Sequence, residues 1–123
     1  MNIAEAAATS GLSEDTIRFY EKSGMMPRLL RDARGWRAFR PADVEWLTTL
    51  RHLRATGMPL ADVKAFAQSA HAKDTDAPAR RSERYALLRQ HAETLALRQA
   101  ELDACRAYLD HKLAIYGRDL EIT

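Results

Sequence analysis

Polar and apolar positions alternate in short helical patches up to about residue 70, and in one long regular pattern from residue 80 onward. Asn2 is placed to cap a first helix, with Glu5 three residues on as a capping-box acid. Alanines through Ala8 keep that helix thin, and Gly11 supplies the left-handed residue that ends it. Ser13 then caps a second helix, with Glu14 and Asp15 in its first turn. Leu12 and Ile17 occupy the hydrophobic-staple positions, and Gly24 closes the element. Two short helices joined by a glycine-containing turn match a helix-turn-helix, although the same spacing fits any αα-hairpin.

Residues 27–40 break the helical period. Leu29 and Leu30 precede a turn at Asp32–Gly35, and Trp36 and Phe39 follow it, which predicts a two-stranded hairpin with an arginine-rich edge. Pro41 at a first helical position, with Asp43 behind it, opens a third helix whose apolar stripe is Val44, Leu47, Leu50 and Leu53, with Trp46. After Gly57, Pro59 starts a fourth helix carrying Leu60, Val63, Phe66 and Ala67 on one face. The polar run 73–79 reads as a linker. Beyond it Leu88, Leu95, Leu102, Leu109 and Tyr116 recur every seven residues, with Leu113 beside them, the period of a coiled coil. Such a row packs on a second copy or back on its own chain. The domain reading is therefore a head at 1–72, a linker at 73–79, a dimerisation helix at 80–117 and a short tail at 118–123.

Charge sharpens this picture. The 123 residues carry a net charge of only +2, yet Thr16 to Arg40 holds seven basic side chains against two acidic ones. A local basic stripe is the footprint of a phosphate-backbone binder, and it is also what a solvated basic surface looks like. No apolar run is long enough for a membrane span and no signal peptide is legible, so the expectation is a cytoplasmic protein with no membrane partner. A single cysteine, Cys105, excludes an internal disulfide and a multi-cysteine zinc site. Glycine-rich phosphate loops, nucleophile elbows and metal triads are missing, so no enzymatic activity and no cofactor are expected.

The stretches IAEAAATSGLSEDTIRFYEKSGMMP, GWRAF and LRATGMPLADV, in that order, closely resemble the MerR family of bacterial transcriptional regulators over roughly residues 2–70. The resemblance implies a mainly α fold, with a winged helix-turn-helix DNA-binding head followed by a long antiparallel coiled-coil dimerisation helix. It also implies a homodimer on a pseudo-palindromic site in double-stranded promoter DNA. There it would work beside RNA polymerase, activating by distorting the promoter when a small-molecule effector or stress is sensed. The alternative is an effector-independent repressor or architectural protein.

Thr16 and Arg18 lie early in the second helix, within reach of base edges, and arginine suits bidentate contact with guanine. Ser13, Phe19, Tyr20 and Lys22 complete the expected DNA-contacting set on that helix, Tyr20 and Lys22 toward phosphates. Arg28, Arg31, Arg34, Trp36 and Arg37 are the wing candidates, Arg37 matching the family's wing arginine. Phe19 and Trp36 stand where the family pattern has tyrosines; both keep the ring, and Phe19 lacks the hydroxyl. Metal-sensing relatives use paired cysteines, which this sequence lacks. Its closing LDHKLAIY resembles the aldehyde- and nitrosative-stress subgroup, with His52 at the position where that subgroup carries a cysteine. Cys105 is left as a redox candidate or as a quiet small apolar residue.

Overall fold

The computed structural model describes residues 1–121; the last two residues of the 118–123 tail lie outside the described residues. The order is α1 (Ile3–Ser10), α2 (Glu14–Lys22), β1 (Leu30–Arg31), β2 (Arg37–Ala38), α3 (Pro41–Ala55), α4 (Leu60–Ala70) and α5 (Pro78–Asp119). The fold is mainly helical, with the two strands forming one antiparallel hairpin.

Local signals set the first two helices as expected. Asn2 and Glu5 close a capping box, and Gly11 ends α1 at φ 79°. Arg51 of α3 donates to the Ser10 carbonyl at 2.8 Å, satisfying an orphan acceptor at that helix end. A β-carbon on Gly11 would press against the Arg51 side chain at 3.3 Å, so close approach and backbone conformation both favour glycine there. Ser13 accepts from the Thr16 amide at 3.1 Å and caps α2.

The core of the head gathers Ala6, Ile17, Tyr20, Met25, Leu29, Phe39, Leu47, Leu50, Met58, Val63 and Ala67, with Leu12, Trp46 and Leu53 packed on it. Trp46 stacks on Phe66 and donates to the Met25 carbonyl at 2.8 Å, tying α3 to α4 and to the chain just after α2. Leu60, expected on the apolar face of α4, is exposed at the helix start, and Val63 and Ala67 carry the burial.

His71 meets Trp46 edge-on, with ring centroids 4.5 Å apart. Desolvation pushes its imidazole below the ordinary pKa of 6.5, with Asp43 pulling weakly the other way. The unfolded chain therefore takes up this proton first, and the head loses stability as pH falls through 6.5 toward the folded-state value. In thermal melts across that window, His71→Gln is expected to lose less stability on acidification than the wild type; equal slopes would assign the acid sensitivity elsewhere.

The segment read as a linker is more structured than expected. α5 starts at Pro78, inside the 73–79 run, and continues to Asp119. Its first turns belong to the first of two compact units, residues 1–87, with residue 88 onward forming the second. The physical reason is Arg84, whose guanidinium donates to the carbonyls of Ser69 and Thr75 at 2.9 and 2.8 Å. Arg80 adds an ion pair to Asp74 at 2.9 Å. Polar composition read from sequence does not reveal that these polar groups satisfy one another.

From residue 88 onward, Leu88, Leu95, Leu102, Leu109, Leu113 and Tyr116 are all exposed, at 37–69%.

Candidate nucleic-acid interface

Helix α2 buries Ile17 and Tyr20 and turns Asp15, Arg18, Phe19 and Lys22 to solvent. Arg18 donates to Asp15 at 3.0 Å and to Glu14 at 3.4 Å. Both acids are exposed, so these pairs are weak and exchangeable for a DNA acceptor. Phe19 remains 47% exposed, leaving an apolar ring at the surface of α2. Ser13 and Thr16 join hydroxyl to hydroxyl at 2.8 Å at the helix start.

Tyr20 departs from its expected place. Only 5% of it is exposed, and burial raises its phenol pKa, an effect that nearby Arg54 partly offsets. Its ring belongs to the core, because it lies one turn from Ile17 on the inward face of α2.

The wing is held by its own turn. Asp32 accepts from the backbone amides of Arg34 and Trp36 at 2.8 and 3.1 Å, with Gly35 in the left-handed region between them. Those bonds, the Trp36 amide above all, hold the Asp32 carboxyl below its ordinary pKa. The Arg34 guanidinium lies over the Trp36 ring, 4.2 Å from its centroid, and the ring itself is 60% exposed. Arg28 is exposed at the wing's base, its carbonyl accepting from Arg40 at 3.1 Å. Arg31 and Arg37 face each other across the hairpin, and both bind Glu21 of α2. Glu21 was not singled out from sequence, since an acid within a basic stripe gives no local signal of its partners.

The structure thus brings Arg18, Arg31, Trp36 and Arg37 together around one open groove of about 300 Å³ that also touches Asn2. Lys22 lies further along the exposed face of α2. No group of three or more metal-ligating side chains occurs among the described residues. Cys105 is exposed. His52 and His111 are exposed and His91 is buried.

A capped recognition-type helix beside an arginine-edged hairpin defines a winged helix-turn-helix. Residues 1–70 match the family described as MerR HTH family regulatory protein, and residues 44–112 match MerR, DNA binding. The chain belongs to the MerR family of DNA-binding transcriptional regulators. It is 37% identical over 115 residues to an uncharacterised HTH-type transcriptional regulator of Haemophilus influenzae, covering 94% of this chain and 82% of that one. It is 32% identical over 99 residues to the regulator CueR of Escherichia coli, covering 77% and 73%. Among solved structures it is similar to HiNmlR, a MerR family regulator lacking the sensor domain, bound to promoter DNA, with a TM-score of 0.75, 34% identity and coverage of 98% and 94%. A MerR family regulator from Listeria monocytogenes superposes with a TM-score of 0.83 at 28% identity, covering 98% and 88%.

Proposed function

We propose that this regulator acts as a homodimer on a pseudo-palindromic promoter site, with α2 in the major groove and the wing on the backbone of each half-site. The observation that carries this reading is the coincidence of two surfaces. Arg18, Arg31, Trp36 and Arg37 converge on one groove of the head. Separately, an unbroken row of leucines stands exposed along α5. Exposed apolar rows of that length mark partner surfaces, and a second copy is the simplest partner. Arg18 reads bases, while Arg28, Arg31, Arg34, Arg37 and Lys22 hold phosphates. The likeness to a relative bound to promoter DNA supports the same target class.

Activation then proceeds by bending and untwisting the promoter so that RNA polymerase meets correctly spaced elements, in response to a small-molecule effector or stress. Protein–DNA contacts offset a deformation cost of a few kcal/mol, roughly 1–6 by elastic estimates. The test is fluorescence of a base analogue placed at the centre of the bound site. Unstacking signal on addition of an inducer, with affinity retained, supports activation by distortion. Tight binding with an unchanged signal under every inducer tried leaves a plain repressor or architectural protein.

A further inference from the structure

We infer that Glu21 is the positioning residue that sets the wing against α2 for specific DNA binding, a role that rests on the interface reading above. Each strand of the hairpin is two residues long. Two-stranded ribbons are marginal in isolation, so the wing needs an anchor outside itself. Its base has one, in buried Leu29 and Phe39. Farther out, Glu21 reaches both strands. One carboxylate oxygen accepts from Nε of Arg37, and the other accepts from Arg31 at 3.2 Å. Arg31 and Arg37 are direct cross-strand partners, so a single carboxylate grips both strands at one level.

The Glu21 and Arg37 side chains are 22% and 26% exposed, so this linkage is less screened than the surface pairs of Arg18. Arg37 meets Glu21 through Nε, which leaves its terminal nitrogens for phosphate oxygens. Glu21 is also a negative charge at a surface that must approach a polyanion. Retaining it costs non-specific affinity. Its position makes sense as a register device: it holds the wing arginines at a set distance from Arg18, so that one half-site geometry satisfies both.

The two roles of the charge have opposite signs, and this makes the inference testable. The probes are the duplex enriched by the wild type from a random library and a scrambled duplex of equal composition. Glu21→Gln is expected to weaken binding to the enriched duplex about tenfold, because the neutral amide keeps one acceptor oxygen where two guanidinium groups were held by a charge. Binding to the scrambled duplex should tighten about threefold, because a repulsive charge is gone and two arginines are released. Glu21→Asp keeps the charge but shortens the reach; it should lose specific affinity with no non-specific gain. In protein labelled with 5-fluorotryptophan, the Trp36 fluorine resonance should broaden or shift in both variants while that of Trp46 stays. Affinities for the two duplexes that rise together would reduce Glu21 to simple repulsion and overturn the inference. A parallel fall with a lowered melting temperature would make it a fold residue and overturn it equally. A wild type that does not prefer the enriched duplex would instead remove the interface reading itself.

Discussion

Arg18→Ala is expected to lower affinity for the enriched duplex by roughly a hundredfold or more. A bidentate arginine–guanine contact is worth about 1–3 kcal/mol of discrimination, and the proposed symmetric dimer would lose it twice. The fold should scarcely notice. Arg18 is half exposed, and its protein partners are Glu14 and Asp15 on the same helix surface. Such pairs contribute about 0.3–0.5 kcal/mol each, and the better helix propensity of alanine offsets part of that loss, so the melting temperature should fall by a few degrees at most. Scrambled DNA should bind nearly as before, since the other arginines supply the salt-dependent term. The measurement is fluorescence anisotropy with both duplexes, alongside repeated site selection. If the variant enriches the same DNA as the wild type, α2 does not read sequence through this residue.

The second large effect concerns assembly. Leu102→Glu combined with Leu109→Glu is expected to turn the proposed dimer into a monomer at micromolar concentration in sedimentation equilibrium. The two side chains are 68% and 56% exposed. The substitutions therefore disturb no packing within residues 1–87, and helicity and the head's melting should persist. In a paired state the same positions would lie in the seam, where four carboxylates per dimer replace apolar contacts, repel one another and carry a desolvation cost. DNA binding should weaken with assembly, because each head then holds only one half-site and the gain from a high effective concentration is lost. A double variant that sediments as a dimer would show that the exposed leucine row is not the subunit contact.

Much of the fold was legible from the chain because its signals are local. Asn2 with Glu5, and Ser13 before Glu14 and Asp15, mark helix starts that need no tertiary partner. Asp32 and Gly35 specify the wing turn through bonds within five residues. The seven-residue leucine period announces a long helix with one apolar row, and the helix runs even further than that row requires. The basic stripe from Arg18 to Arg40 is legible as local charge, whichever partner it meets.

What the sequence by itself determined, then, is the order and kind of elements, since capping, turn chemistry and hydrophobic period act over a few residues, while its motifs carried the resemblance to the family. Tertiary structure alone decided which face each side chain serves. Tyr20 sits in an aromatic and basic stretch between solvent-facing Phe19 and Lys22, yet helical geometry carries its ring inward with Ile17. Glu21 looked like a stray acid and became the link between α2 and both wing strands. Residues 73–79 looked like a tether, and Arg84, more than a turn into α5, holds the carbonyls of Ser69 before the run and Thr75 within it. For Glu21 and Arg84 the deciding partner lies 9 or more positions away, and pairwise contacts over such separations leave no periodic trace in the chain.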